Sequence, residues 1–371
     1  MSENWTGMQG IASVPSYVIM QPTTLCNLDC TYCYLPHRGE QRRMPIPVAE
    51  AVATTVNDWA ADAARFSVVW HGGEPLSTGR EQLGRLMAPF RGVEHHIQTN
   101  ATLIDDDWCA FLRDHDVHIG LSIDGPPELT GRRRLRGGQP AYDRILRGIE
   151  TLRRYGIPFA ALCVVSDPSP GMAGQLYAYF RELGATVLGV NVEEQEGVNL
   201  RSNRHEAQRV RAFWSELTAA WRADPVLEVR EVEWALRFAG ATLAGEADTL
   251  LPRRHDPIPT IAHDGGVVLL SPELAGFASA DYGDFTSGSV LETPLSAIVA
   301  RAAERPSGWI AEYLSGVEAC RSSCAYFGFC GGANAANRYF EHGRFDGTLT
   351  QHCRNSKISL LEGVLDHARA A

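Results

Sequence analysis

The sequence predicts an α/β protein: an open, partial barrel of six parallel strands alternating with helices, (β/α)6, followed by a smaller C-terminal module. Three observations carry this. Short β-branched runs alternate with longer helical patterns from residue 16 to about residue 222. Repeated strand–helix alternation implies a parallel sheet with right-handed crossovers. Six such units are too few to close an eight-stranded barrel. A length of 371 residues, with 44% hydrophobic and 21% charged, suits one large domain plus an appendage.

The candidate strands are 17–21, 66–70, 94–99, 117–123, 159–165 and 187–192. One helix is expected to open after Pro45 and Pro47, another at Asp105 with two further acids in its first turn, and a third at Ser169 before Pro170. Capping residues and early prolines of this kind are helix-start signals. The last helix of the series covers about 204–221. From about 224 to 258 the periodicity fades among Pro225, Pro252, Pro257 and Pro259, which reads as the join to the second module. That module opens with a hairpin-like unit over 261–270, turned by Asp264-Gly265-Gly266. It closes with a cysteine quartet and a helical tail over 356–370. The expected division is an N-terminal extension (1–15), the partial barrel (16–235) and the C-terminal module (236–371).

A net charge of −10 disfavours nonspecific nucleic-acid binding. No apolar run is long enough to span a bilayer, and the first ten residues lack a basic-then-apolar signal pattern. A cytoplasmic protein with no membrane or nucleic-acid partner is therefore expected. The nine cysteines fall as a trio (Cys26, Cys30, Cys33), two singles (Cys109, Cys163) and a quartet (Cys320, Cys324, Cys330, Cys353). In such a protein, clustered cysteines point to metal rather than disulfides. The singles sit in apolar stretches and read as buried, inert thiols.

In the trio, three residues separate the first two cysteines and two separate the second from the third. Three thiolates closing on a cubane iron–sulfur cluster leave its fourth iron without a protein ligand. A zinc site would need a fourth ligand nearby, and only His37 offers itself. The polar clusters that follow the next strands converge on the same place. His71-Gly72-Gly73-Glu74-Pro75 follows strand two, Gln98-Thr99-Asn100 closes strand three, and Ser122-Ile123-Asp124-Gly125 closes strand four. Ligands in parallel α/β folds bind at the C-terminal ends of strands, so a single site is expected there.

This trio, with Tyr32 and Tyr34 beside it, resembles the signature of radical S-adenosylmethionine (SAM) enzymes. The N-terminal two-thirds is similar to their partial TIM-like barrel, and the C-terminal third to the SPASM/twitch auxiliary-cluster extension. Within the family, the chain is most similar to cyclophane-forming maturases of ribosomal peptides, with anaerobic sulfatase maturases as more distant relatives. The resemblance implies a [4Fe–4S] cluster on Cys26, Cys30 and Cys33 whose open iron binds SAM. Electron transfer into the sulfonium would then release a 5′-deoxyadenosyl radical. It further implies SAM contacts from Tyr32, Gly72, Gly73, Glu74, Asn100, Ser122 and Asp124, with Glu74 accepting from the methionine ammonium. From the run 132–136, Arg134 would meet the SAM carboxylate, although such a run is otherwise a solvated face.

Relatives with two auxiliary clusters carry further cysteines near Leu270, at Ala280 and at Asn334. Here the inner cluster's ligands are missing and four cysteines remain for one auxiliary [4Fe–4S] cluster; a closed tetrahedral zinc site suits the same quartet. Asp281 stands where sulfatase maturases carry a catalytic aspartate, and is equally a turn residue. Glu193, Glu194 and Glu196 face the expected mouth. The implied reaction is hydrogen abstraction at a side-chain Cβ of a leader-bearing precursor peptide and a carbon–carbon crosslink to an aromatic ring. A flavodoxin- or ferredoxin-type protein would supply electrons. With no leader-binding domain expected ahead of residue 16, the leader would dock on the barrel or the second module. The rivals are oxidation of Cys or Ser to formylglycine, and a noncatalytic iron–sulfur or zinc protein for electron transfer or scaffolding.

Overall fold

The computed structural model describes residues 10–202, 204–250 and 254–369. Residues 1–9 of the expected extension, Pro252 and the end of the tail at 370 lie outside it. Strands and helices alternate as β1 (Tyr17–Met20), α1 (Ile46–Asp62), β2 (Ser67–Trp70), α2 (Arg80–Met87), β3 (Glu94–Thr99), α3 (Asp106–Asp114) and β4 (His118–Ser122). A one-turn helix α4 (Pro127–Thr130) and α5 (Tyr142–Arg154) lead into β5 (Phe159–Val165), α6 (Met172–Leu183), β6 (Val187–Val192), α7 (Ala207–Ala223) and the short β7 (Glu228–Val229). Each of β1 to β6 falls within its expected range. β1 to β7 lie side by side in chain order, all parallel.

The helix starts follow their local chemistry. α1 begins directly after Pro45, and the Asp105 carboxylate caps α3 by accepting from the Trp108 N–H at 2.8 Å. α6 starts later than Ser169-Pro170 suggests, because Gly171 in a left-handed conformation precedes it.

Strand alternation sorts the two faces. In β5, Phe159, Ala161, Cys163 and Val165 are buried toward the helices. Leu162 and Val164 face the opposite way, into a cavity at the C-terminal ends of the strands. Cys109 and Cys163 are fully buried, as expected of inert thiols.

The segment 224–258 is not a featureless join. It contains α8 (Arg230–Leu243), with acids in its first turn. Its buried Val232 and Ala235 make too narrow an apolar stripe to stand out in the sequence. The hairpin that follows is not detached either. β8 (Thr260–Ile261) pairs parallel with β1, while β9 (Gly266–Val268) and β12 (Thr286–Ser289) extend the sheet antiparallel to ten strands. Between them, β10 (Ala278–Ser279) and β11 (Gly283–Asp284) form a separate two-stranded hairpin. The remaining helices are α9 (Leu295–Glu304), α10 (Gly308–Ser323), α11 (Phe327–Cys330), α12 (Ala335–His342), α13 (Gln351–Cys353) and α14 (Ser359–Arg369). The tail returns to the first part of the chain: Arg211 of α7 pairs with Asp366 of α14, and the Trp214 indole donates to the Asn355 carbonyl at 2.9 Å.

Candidate active site

The loop leaving β1 is tied down on both sides. Thr24 Oγ1 donates to the Glu40 carbonyl at 2.6 Å and the Cys26 N–H to the Arg38 carbonyl at 2.9 Å. On the far side, the Asp29 and Thr31 N–H groups donate to the carbonyls of Arg134 and Arg132. Gly73 explains how the next loop approaches. Its φ is +62°, and a Cβ there would lie 2.6 Å from the Leu25 carbonyl oxygen, so only glycine fits. Gly72 (φ +93°) shares the turn but is not part of the cavity wall.

Cys26, Cys30 and Cys33 line a cavity of about 430 Å³ together with Tyr32, Tyr34, His71, Gly73, Glu74, Gln98, Asn100, Ser122 and Arg133. Burial pushes the Cys26 thiol up to about 12 and raises Cys30 and Cys33 as well. Thiols held this way must shed protons when they take a metal. His37 turns away and pairs with Glu40 at 2.8 Å, so it does not complete a four-ligand set.

Glu74 is buried and already engaged. Its carboxylate accepts from the Leu76 N–H (3.0 Å), Thr99 Oγ1 (2.7 Å) and the Asn100 N–H (2.8 Å). Burial nevertheless raises it to about 7. It staples strand end three to strand end two, with limited capacity left for a ligand. Asn100 holds the cysteine loop through Asn27 Oδ1 at 2.9 Å and lies 3.9 Å from Cys26 Sγ. Ser122 accepts from Gln98 Nε2 at 2.8 Å. That crossing needs Gly120, where a Cβ would sit 2.2 Å from Gln98 Oε1.

Asp124 and Arg134 do not line the cavity. Asp124 lies behind it, accepting from the Tyr32 hydroxyl (2.7 Å), the Val164 N–H (3.0 Å) and Arg133 Nη2 (2.8 Å). Of the run 132–136, it is Arg133 and not Arg134 that lines this cavity. Arg134 is exposed and donates to the Gly138 carbonyl, while Arg133 is buried in the cavity wall, 5.4 Å over the Tyr32 ring. Arg133 Nε is buried with no hydrogen-bond partner among the described residues. Arg133→Met should cost about 3–5 kcal/mol in chemical denaturation, because it strands a buried carboxylate. Arg134→Met should stay within about 0.5 kcal/mol.

The opposite wall is acidic: Glu193, Glu194, Glu196 and Glu273. Glu193 is paired with Arg132, and Glu194 with His352 at 3.0 Å and with Asn337. Burial raises Glu196 well above the carboxylate range, and Glu273 to about 7. Glu273 Oε2 is enclosed without a hydrogen-bond partner. Asp281 is not here. It is exposed in the turn between β10 and β11, as the plain turn reading had it. Glu273 was not singled out from the sequence; Arg133 stood only within the run 132–136, and His71 and Gln98 only within the polar clusters that end strands two and three. The one signal for Glu273 was its place in Ser271-Pro272-Glu273, beside a position that relatives give to a ligand.

Ser271 and Asn334, at or beside two of those missing-ligand positions, are hydrogen-bonded to each other, and the Ser271 hydroxyl also accepts from the Ala336 N–H at 3.1 Å. In the quartet, Cys330 and Cys353 share a hydrogen bond that holds the Cys353 thiol down to about 5 and pushes Cys330 up. Fully buried Arg338 donates to Cys320 Sγ at 3.4 Å, and no carboxylate pairs with it among the described residues. A buried cation aimed at thiols suits an anionic thiolate site.

Among the described residues, no helix is long and apolar enough to cross a membrane. The model of the Radical SAM superfamily matches residues 20–187. An uncharacterized protein of Synechocystis, sll1766, is 31% identical over 91% of this chain and 88% of its own length. A serine-type anaerobic sulfatase-maturating enzyme of Bacteroides thetaiotaomicron is 29% identical over 56% of this chain and 55% of its own length. A cysteine-type enzyme of Clostridium perfringens is 32% identical over 45% and 48%. The chain thus matches about half the length of these two maturating relatives. The fold is shared with anSMEcpe bound to AdoMet (TM-score 0.73, 20% identity, 95% of this chain and 97% of that one). It is also shared with Streptococcus suis SuiB bound to S-adenosylmethionine (TM-score 0.61, 18% identity, 90% and 76%). Residues 20–187 thus carry a radical SAM domain, a family that implies a [4Fe–4S] cluster and SAM.

Proposed function

We propose that this chain is a radical SAM maturase that crosslinks a side-chain Cβ of a ribosomal precursor peptide to an aromatic ring. Its sheet forms the partial barrel, and its C-terminal part the SPASM/twitch-like module. Cys26, Cys30 and Cys33 would hold the SAM-binding cluster, and Cys320, Cys324, Cys330 and Cys353 one auxiliary cluster. When bound, the first cluster and SAM supply reductive cleavage to a 5′-deoxyadenosyl radical, which takes hydrogen from the substrate. The donor sets fit. One tetrahedral zinc would draw thiolates to about 3.8 Å apart, from Zn–S bonds of about 2.3 Å. Among the described residues, no three cysteine sulfurs lie within 4.8 Å of one another.

The chain's own groups divide the remaining work. Arg133, oriented by Asp124 and Tyr32, offers its free Nε to a carboxylate. Gln98 and Ser122 offer an amide and a hydroxyl to polar groups of a ribose. Glu273 takes the proton that the ring loses as it regains aromaticity, and the auxiliary cluster would take the electron lost with it. Glu193, Glu194 and Glu196 face the peptide.

The observation that carries this reading is the Ser271–Asn334 contact. It puts a side-chain hydrogen bond where the resemblance would have an inner cluster's ligands, beside Glu273 in the same cavity, which supports a wall open to substrate. The crosslink itself rests on the sequence resemblance. The sulfatase-maturating relatives favour a second reading, oxidation of Cys or Ser to formylglycine. The test is anaerobic co-incubation with SAM, a reductant and a short precursor peptide carrying aromatic residues. A peptide lighter by two hydrogens, resistant to internal fragmentation and unreactive to hydrazide is expected. A hydrazide-reactive aldehyde selects the second reading. An unaltered peptide with no 5′-deoxyadenosine overturns both and leaves a noncatalytic electron-transfer or scaffold protein.

A further inference from the structure

The opposite ends of the strands carry a second concentration of ligand groups. Glu94 and His118 are the first residues of β3 and β4, and His96 shares Glu94's face two positions along. The sheet register sets His96 beside His118, and their rings stack 4.7 Å apart at 21°. Glu94 Oε2 lies 3.7 Å from His96 Nε2, and one donor atom from each of the three residues lies within 4.8 Å of the others. The Ser67 hydroxyl adds a fourth polar group, 3.4 Å from His96 Nε2. Both imidazoles open on a cavity of about 600 Å³. Gln98 lines this cavity and the cysteine cavity alike, and so stands between the two.

We propose that Glu94, His96 and His118 bind one divalent cation of the zinc type, with a further coordination position open to that cavity. Two imidazoles and one carboxylate are the ligand set of open three-ligand zinc sites and of the 2-His-1-carboxylate triad. Zinc bonds of about 2.0–2.2 Å place tetrahedral donors about 3.4 Å apart, so the observed 3.7 Å pair needs only a small side-chain adjustment. The competing cation, Arg65, sits 3.7 Å from the other oxygen of Glu94, Oε1, and its side chain is 83% exposed. It leaves Oε2 available. An ion here would clamp the first turn of β3 to that of β4, at the end of the sheet away from the cysteines.

The test uses cluster-loaded protein whose iron content has been counted. It is dialysed anaerobically against micromolar ZnCl₂, and zinc per chain is measured for wild type, Glu94→Gln, His118→Ala and His96→Ala/His118→Ala. One more zinc per wild-type chain than per double-variant chain is expected, at unchanged iron, with at least tenfold weaker binding in each single variant. His118 is exposed, so its loss should leave the fold and 5′-deoxyadenosine formation intact. Equal zinc in all four proteins overturns the proposal, and so does zinc gained only as iron is lost.

Discussion

Cys30→Ala protein, loaded anaerobically with iron and sulfide, is expected to make 5′-deoxyadenosine only at the background rate and to lose the iron of one cluster. The reason is coordination. Cys26, Cys30 and Cys33 face one cavity; His37 is committed to Glu40, and His71, which lines that cavity, is engaged through Nε2 with the Tyr34 hydroxyl at 3.0 Å. Among the described residues, neither imidazole is a ready replacement for a lost thiolate. The quartet draws on other elements, α10 to α13, so its iron should remain. Half-loss of iron with total loss of cleavage is therefore the expected pairing, read by iron analysis and by chromatography of the nucleoside. Cleavage at the original rate would remove the assignment of the amino-terminal cluster.

Glu273→Gln should separate cleavage from product. The proton lost from the substrate ring needs an acceptor near neutral pH, and general bases typically contribute about 10²–10⁴-fold. Burial holds Glu273 at about 7, and its Oε2 is free. The variant should keep forming 5′-deoxyadenosine while crosslinked peptide falls by about 10²–10⁴-fold; Asp281→Asn should change neither. The pH profile has a defined sign. As pH falls through 7, Glu273 takes up a proton and can no longer accept one, so wild-type product formation should fall on the acid side. Stability gives a readout independent of activity. A carboxyl whose folded pKa is raised contributes stability below its unfolded value, near 4.5, and loses it as pH rises through 7. Glu273→Gln should thus raise Tm at pH 8 relative to wild type, with the difference shrinking toward pH 5. An unchanged Tm difference across that range would remove Glu273 as the titrating group.

The strands and the cysteines were legible because each leaves a local mark. The β-branched runs end in polar clusters, and the trio has a fixed spacing. What stayed hidden depends on distant partners. Nothing local says which arginine of the run 132–136 turns inward; Arg133 does so because Asp124, eight positions earlier than Arg132, receives it. α8 lay unseen because its aromatic Trp234 and Phe238 find their partner in Phe329, far along the chain. The 261–270 hairpin reads as the opening of a second module, and only the pairing of β8 with β1 shows that it also extends the parallel sheet, with β12 beyond it. Glu94, His96 and His118 meet only through the parallel register of β3 and β4.

The most direct measurement is the fate of one hydrogen. A precursor peptide deuterated at its side-chain β-carbons is incubated with cluster-loaded protein, SAM and a reductant, and both products are weighed. Deuterium should appear in 5′-deoxyadenosine in step with a peptide that has lost one deuterium and one proton and resists fragmentation. Undeuterated nucleoside formed alongside an unchanged peptide would contradict the account.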